Sequence, residues 1–181
     1  LDLMFKSGFN ISVAHCNFGL RAEESDLDES FVIEYCKRND IPFYVNRFYT
    51  EKYASENRKS IQISARELRY NWFFELKEKY DFTYIVTAHH LNDSLETFFI
   101  NLSRGTGIEG LTGIRENENI MRPLLEFSRS QIEKYALEHN IKWREDSSNT
   151  SDKYLRNKIR HNIVPLFEEI NPEFLNSFAK C

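Results

Sequence analysis

The strongest constraint on the fold is the alternation of short β-rich runs with longer amphipathic runs. Residues 9–15, 41–48 and 82–88 are rich in β-forming side chains, and the last run (FTYIVTA) is nearly apolar throughout. An apolar strand without polar alternation is typical of a parallel sheet covered on both faces. Residues 31–36 and 64–80 carry apolar side chains at helical spacing. The order predicts a parallel α/β sheet with flanking helices and right-handed crossovers.

The rest of the chain predicts shorter elements. Residues 50–60 are polar and predict a loop, and residues 120–124 predict a short strand. Ser128 followed by Gln131 is the pattern of a capping box at the start of a helix. We expect an α/β domain over residues 1–150 and a helical extension over 151–181.

Composition limits the class of protein. The chain has 181 residues with a net charge of −4, which excludes a uniformly basic nucleic-acid-binding surface but allows a local basic patch. No apolar run approaches the roughly 20 residues of a membrane span, so we expect no membrane partner. Cys16, Cys36 and Cys181 are odd in number and form no CxxC pair. A reducing, cytoplasmic location fits this cysteine usage.

Two polar clusters follow predicted strands. Residues 15–21 read HCNFGLR, and residues 89–96 read HHLNDSLE. Ligands of open α/β sheets bind outside the carboxyl ends of the strands. Both clusters would lie on one rim of the sheet and are therefore candidates for a ligand site.

Asp93 and Glu96 open the helix that follows the second cluster. The simpler interpretation is helix capping, with Asp93 as N-cap and Glu96 at the third helical position. The functional interpretation is a carboxylate pair that holds Mg²⁺ or removes a proton from an amine. Both interpretations stay open at this point.

The same helix runs into Arg104-Gly105-Thr106-Gly107. A glycine C-cap explains Gly105 alone. Further glycines at positions 110 and 113 exceed what a cap needs, and they allow backbone to approach a ligand closely. A loop that moves is the other interpretation, and a glycine loop gains weight only beside the other clusters.

Two basic stretches are candidate anion sites. Arg66 and Arg69 lie at i, i+3 on one side of a helix and can face phosphates or only solvent. Residues 153–161 (KYLRNKIRH) concentrate positive charge, with Arg156 and Arg160 at i, i+4. Like charges at that spacing destabilise a helix unless an anion relieves them. A nucleic-acid backbone is the anion that such a segment can bind.

Six stretches in register resemble the tRNA(Ile)-lysidine synthetase family of the PP-loop ATP-pyrophosphatase superfamily. They are AHCNFGLR, SARELRY, TAHHLNDSLET, LSRGTGIEGLTGI, RPLLEFSR and EDSSNTSDKYLRNKIRHNIVPLF. The resemblance covers most of the chain. It implies a Rossmann-like sheet of the adenine-nucleotide α-hydrolase type.

The resemblance also implies a reaction. ATP would adenylate the wobble cytidine of a tRNA(Ile) with a CAU anticodon, and free L-lysine would then displace AMP to form lysidine. ATP and Mg²⁺ are the implied cofactors. A homodimer is possible in this family.

The implied roles fall on the residues already singled out. Asp93 would be the general base and a tentative Mg²⁺ ligand, with Glu96 and His90 also in the catalytic group. The implied nucleotide-binding residues are His15, Arg21, Arg66, Arg69, Arg104, Gly105, Thr106 and Gly107. The implied tRNA-binding residues are Arg156, Asn157 and Arg160, which would hold the tRNA or a loop against the site.

The chain departs from the family pattern in several places. The SGGxDS phosphate loop is absent, so we expect the first strand and that loop upstream of Leu1 and an inactive polypeptide as given. Phe18 stands where the family often has histidine, and no role is assigned to it. Asn92 stands where an aspartate is common, which places the acid chemistry on Asp93.

Other functions compete with this one. A tRNA 2-thiolation enzyme shares the superfamily, but such enzymes usually carry paired cysteines. A nucleotide- or tRNA-binding module without catalysis would keep the basic segment and release no pyrophosphate. Another PP-loop amidotransferase or ligase is a further alternative.

Overall fold

The computed structural model describes residues 1–114, 117–152 and 154–180, and of residue 109 the backbone alone. Lys153, which belongs to the predicted basic segment, and Cys181 lie outside the described residues. The chain divides into two compact units, Leu1–Thr83 and Tyr84–Cys181. Each is described by itself, and the expected domain boundary at residue 150 stays a prediction.

The first unit is built on a pair of parallel strands. Strand β1 (Val13–Asn17) pairs with β2 (Phe43–Arg47), in a register that runs from Val13 opposite Phe43 to Asn17 opposite Arg47. The helices described in this unit are α1 (Asp2–Lys6), α2 (Glu23–Arg38), α3 (Thr50–Glu56) and α4 (Ile61–Lys79).

Local chemistry explains where the longer helices lie. Helix α2 has acidic side chains in its first turn and basic side chains in its last, which suits the helix dipole. Helix α4 begins after Ser60, whose hydroxyl accepts the backbone N–H of Ile63 at 3.3 Å. The core of the unit buries Cys36, Ile41 and Leu76.

The second unit has a shorter parallel pair, in which β3 (Ile85–Val86) lies beside β4 (Ile120–Met121). Its described α-helices are α5 (Leu91–Ser103), α6 (Arg129–Glu138), α7 (Leu155–Lys158), α8 (Val164–Ile170) and α9 (Phe174–Ala179). Two 3₁₀ turns (Ile108–Thr112 and Ser147–Thr150) and a π-helical turn (Ile159–Ile163) complete it.

Helix α5 lies at the centre of this unit. Leu95 on α5 is fully buried and packs with Ile159 and Val164, which are 2% and 7% exposed. Partly buried aromatic rings of α5 and α9, including Phe99 and Phe178, close around this cluster. The chain after residue 154 therefore packs on α5 through apolar contacts.

The predicted α/β class with parallel strands and flanking helices is confirmed. The capping box at Ser128 is also confirmed, since its hydroxyl accepts the N–H of Gln131 at 3.2 Å and its own N–H donates to the Gln131 side chain at 2.8 Å. In the part of the chain that the structure describes, no helix is long and apolar enough to cross a membrane.

Other predictions were wrong in detail. Residues 50–60 were predicted as a loop, but α3 occupies most of them, because Thr50 and Ala54 are buried and supply one apolar face. Strand β1 begins at residue 13 rather than 9. A strand was predicted over residues 82–88, but β3 has only two residues, since its partner β4 is equally short.

A substitution at Gly113 tests how closely the loop after α5 packs against that helix. Its φ is +71°, and a Cβ there would overlap the Ser94 hydroxyl, which accepts the N–H of Ile114 at 3.1 Å. We expect Gly113→Ala to lower the free energy of unfolding by about 1–3 kcal/mol. Urea unfolding measures the change. The control is Gly107→Ala, since a Cβ at Gly107 meets nothing within 4 Å; equal effects of both changes would contradict the expectation.

Candidate functional site around helix α5

Asp93 lies in the first turn of α5, close to His90. The helix begins at Leu91 with His90 as N-cap, so the prediction that Asp93 is the N-cap was wrong. Asp93 is the third helical residue, and its Oδ2 accepts the backbone N–H of His90 at 3.0 Å. The His90 Nε2 lies 3.5 Å from the same oxygen. Asp93 therefore caps the helix from inside the first turn, and its side chain keeps 15% exposure.

Helix α5 begins earlier than predicted because tertiary contacts hold Leu91 in place. Its backbone N–H donates to the Phe127 carbonyl at 2.9 Å, and its side chain is 6% exposed. A sequence pattern cannot show this contact, since the two residues are far apart along the chain. Glu96 consequently lies one turn beyond Asp93, outside any capping box.

Glu96 is buried and fully engaged by two arginines. The residue is 1% exposed. Arg160 approaches it with two nitrogens, Nε at 2.7 Å from Oε1 and Nη2 at 3.1 Å from Oε2. The Nε of Arg156 lies 3.3 Å from Oε2. This is a buried ion pair with the fork geometry that makes guanidinium–carboxylate contacts strong.

The two arginines also reach beyond Glu96. Arg156 Nη2 donates to the Thr97 hydroxyl at 2.8 Å, and Arg160 Nη1 donates to Asn149 Oδ1 at 3.1 Å. Two of the predicted tRNA-binding side chains are thus engaged within the unit. Their contact with tRNA stays a prediction.

Asn157 holds the loop that precedes α7. Its side-chain nitrogen donates to the carbonyls of Ser148 at 2.9 Å and Ser151 at 2.6 Å. The same loop contacts the π-helical turn, where His161 Nδ1 lies 2.7 Å from Asp152 Oδ1. The hydrogen bond from His161 lowers the pKa of the Asp152 carboxyl. Residues 147–152 are therefore fastened to the helical segment from several sides.

The Arg104–Gly107 stretch ends α5 in a Schellman motif. Arg104 is the C-cap, and Gly105 follows with φ +66°. The N–H of Gly105 donates to the Leu102 carbonyl at 3.1 Å, and the N–H of Thr106 donates to the Asn101 carbonyl at 3.3 Å. All four residues are exposed, so the stretch offers a structured surface loop next to α5.

The candidate residues of the first unit lie in the middle of β1 (His15), in the turn that follows it (Arg21) and on α4 (Arg66 and Arg69). Arg21 forms an ion pair with Asp28 at 2.9 Å. Burial lowers the pKa of the His15 imidazole, so its ring is neutral near pH 7 and can accept or donate a hydrogen bond.

Arg69 is held by groups that carry no negative charge. Its guanidinium lies 5.2 Å from the centre of the Phe18 ring, and its positive charge favours the thiolate form of Cys16. Burial nevertheless raises the pKa of Cys16 to about 11. Arg66 lies over Tyr70 at 4.9 Å. Among the described ion pairs, none joins Arg66 or Arg69 to a carboxylate, so both charges are available to an anion.

Sequence reasoning missed a polar network at the same strand ends. The Asn17 side chain donates to Glu29 Oε2 at 2.8 Å, and Arg47 Nη2 donates to Glu29 Oε1 at 2.8 Å. This hydrogen bond from Arg47 lowers the pKa of the Glu29 carboxyl. Arg47 ends β2 directly beside Asn17, and that strand register was the signal available. A surface cavity of about 340 Å³ adjoins the network, lined by Asn17, Gly19, Ala22, Asp26, Arg47, Phe48 and Tyr49.

The structure therefore gathers the predicted residues into one set per unit. His90, Asp93, Glu96, Arg156, Asn157 and Arg160 surround or adjoin α5 in the second unit, with Arg104–Gly107 at its far end. His15, Arg21, Arg66 and Arg69 lie in the first unit. Within the described ranges, no group of three His, Cys, Asp or Glu side chains is placed to hold a metal ion.

The buried ion pair makes a stability test. Glu96→Gln would leave two guanidinium groups facing a neutral amide, and we expect a loss of roughly 3–5 kcal/mol in the free energy of unfolding. Glu133→Gln is the control, because Glu133 pairs with Arg129 at an exposed site. Denaturant unfolding compares the two variants. A Glu96→Gln protein as stable as the control would contradict the burial argument.

Curated relatives cover this chain almost completely. Aligned over 181 residues, it is 48% identical to the tRNA(Ile)-lysidine synthase of Bacteroides thetaiotaomicron. This alignment covers 99% of this chain and 42% of that protein. It is 46% identical over 182 residues to the protein of that name from Porphyromonas gingivalis strain W83, with 99% and 40% covered. The counterpart in Chlorobaculum tepidum is 47% identical over 160 residues, with 88% and 48% covered. The chain thus spans two fifths to a half of these relatives.

A solved structure shares the fold. The U34-tRNA thiolase NcsA from Methanococcus maripaludis, solved with its [4Fe-4S] cluster, superposes with a TM-score of 0.74 at 13% identity. The match covers 99% of this chain and 64% of that one. At such low identity the likeness concerns the fold alone.

The family assignment follows from the sequence itself. Residues 2–167 match the PP-loop domain family from near the first residue to within α8. With the parallel strands, the flanking helices and the relatives above, this match shows that the chain belongs to the PP-loop domain family.

Proposed function

We propose that this protein acts in the ATP-dependent ligation of lysine to the wobble cytidine of a CAU-anticodon tRNA(Ile). The observation that carries the proposal is the 46–48% identity, over nearly the whole chain, to proteins named tRNA(Ile)-lysidine synthase. The geometry around α5 supports it, because one partly exposed carboxylate, Asp93, lies on the helix that an arginine-rich segment contacts.

ATP is the cofactor that membership of the PP-loop family indicates. Mg²⁺ accompanies it in the proposal, since this ion is usually held by one or two protein carboxylates together with substrate phosphates. Asp93 is suited to hold Mg²⁺ as one of these carboxylates. Its Oδ2 accepts the His90 N–H, but the side chain is still partly exposed to solvent. Bound Mg²⁺ would offset negative charge on the phosphates.

The proposed reaction has two steps. The cytosine 2-oxygen attacks the α-phosphorus of ATP, a new P–O bond forms, and pyrophosphate leaves. The ammonium group of lysine then loses a proton, the resulting amine attacks carbon 2, and the C–O bond to AMP breaks. Asp93 is the proposed acceptor of that proton, because an ammonium group is not a nucleophile until it is deprotonated.

Other side chains would bind and orient the substrates. Arg66 and Arg69 are suited to phosphates, since neither is neutralised by a carboxylate in the described ion pairs. His15 and Arg21 would contribute at the nucleotide or cytidine end. The exposed Arg104–Gly107 loop would border the lysine and nucleotide pocket.

The partners and location follow as further proposals. Free L-lysine and tRNA(Ile) are the proposed substrates, and a homodimer and a cytoplasmic location remain predictions. The alternative that the sequence left open is tRNA 2-thiolation, and the thiolase comparison shows a shared fold and no more. The two chemistries differ in whether sulfur or lysine reaches the RNA, so one assay separates them.

The test uses the protein at the full length its gene encodes. We would incubate it with labelled lysine, ATP, Mg²⁺ and unmodified CAU-anticodon tRNA, and count label on the RNA. We expect Asp93→Ala to reduce the rate of labelling by about 10²–10⁴-fold, because loss of a general base costs this much. Glu138→Gln, on the exposed face of α6, is the control and should label at the wild-type rate.

Each result of this assay has a meaning. RNA that stays unlabelled in the wild-type protein while still binding would overturn the ligase proposal in favour of a binding module. RNA that is labelled in a parallel reaction with a labelled sulfur donor in place of lysine would favour thiolation. Labelling that persists in Asp93→Ala would remove Asp93 from the proposed base role.

A further inference from the structure

The two arginines that share Glu96 are held very differently. Arg160 forms a two-nitrogen fork on the carboxylate, donates its remaining nitrogen to Asn149, and is 23% exposed. Arg156 has one hydrogen bond, to Thr97, and one longer contact of 3.3 Å to Glu96. Its side chain is 39% exposed. Arg160 is therefore satisfied by the protein, whereas Arg156 is only partly satisfied.

Charge within this group does not cancel. One carboxylate faces two guanidinium groups, which leaves a surplus of one positive charge. Moreover, the Nε of Arg156 is buried and makes no hydrogen bond in the described part of the chain, although it lies 3.3 Å from Glu96 Oε2. A second negative group at Arg156 would balance the charge, and phosphate is a strong acceptor for guanidinium.

The backbone under Arg160 is also fixed. Arg160 lies in the π-helical turn Ile159–Ile163, a rare geometry that is frequent at functional sites. Its neighbour Ile159 is 2% exposed in the core against Leu95. This packing holds the segment close to Glu96, so a change at Arg160 would disturb the fold as well as any ligand.

We propose that Glu96 is a positioning residue that holds Arg156 for contact with an RNA phosphate, while Arg160 only tethers the segment to α5. The inference rests on the proposed function, because it takes the RNA to be the tRNA substrate. It divides roles among residues that the sequence pattern treats alike. It also removes Glu96 from the acid–base chemistry.

Glu96 cannot serve as a base in this geometry. Both of its oxygens accept or face guanidinium N–H groups, and the residue is 1% exposed. A proton acceptor needs a lone pair within hydrogen-bond reach of the substrate. Asp93, one turn away on α5, has the exposure that Glu96 lacks.

The test measures tRNA binding against salt with the full-length protein. Each phosphate contact contributes about 0.7–0.9 to the slope of log K against log salt. Arg156→Gln should weaken binding several-fold and reduce the slope by about that amount. Lys134→Gln removes an exposed positive charge on α6 and serves as the control, with slope and affinity unchanged.

Glu96→Gln provides the second readout. Binding of tRNA should weaken and its KM should rise, while the pH dependence of ligation at saturating substrate stays that of the wild type. If this variant does not fold, Arg156→Gln alone decides. Arg156→Lys should restore the salt slope of the wild type, because it restores the charge.

Other results would overturn the inference. Glu96→Gln with normal tRNA affinity and an altered pH profile would make Glu96 an acid–base group. An Arg156→Gln protein that raises the KM of lysine or ATP instead of weakening tRNA would assign the anion to those substrates. An unchanged salt slope would remove the phosphate contact. A wild-type protein that binds tRNA without ligation would overturn the proposed function and leave the Arg156 contact standing.

Discussion

The second unit depends on one buried carboxylate. Glu96 lies beside the fully buried Leu95, so α5 presents an apolar and an ionic contact to the same partner segment. Apolar packing holds the partner segment against α5 without fixing its orientation. The two-nitrogen fork of Arg160 on Glu96 permits only one orientation of that segment. Removing either ion would leave the other uncompensated in a low-dielectric setting. The position of α7, the π-helical turn and the loop at residues 147–152 follows from this pair.

The first unit uses the same principle at a strand end. Glu29 is buried between the Asn17 amide and the Arg47 guanidinium, and parallel register brings those two donors together. The carboxyl end of β1 is thereby polar and rigid. Arg69 lies against the Phe18 ring and forms none of the described ion pairs, so its charge is available to other partners. In each unit, donors of the same unit thus satisfy the buried glutamate, and one arginine stays available to an anion.

The spacing of apolar residues predicted the fold class, because the period of each helix or strand is visible within its own residues. The capping box at Ser128 was predictable for the same reason, since all of its atoms belong to neighbouring residues. The start of α5 was not, because the Leu91–Phe127 hydrogen bond fixes it from a distance. The site residues were predictable as types from their clustering. Which carboxylate is buried was not, since Asp93 and Glu96 look equivalent until Arg156 and Arg160 are placed.

The π-helical turn marks a place where the length of this chain can vary. A π-helical turn contains one residue more than an α-helical path between the same two ends. Deleting one residue from Ile159–Ile163 would therefore restore regular α-helix while both ends keep their orientation. Val164 would stay in the cluster with Leu95. The extra residue is absorbed within one turn, so the orientation of α8 does not depend on it.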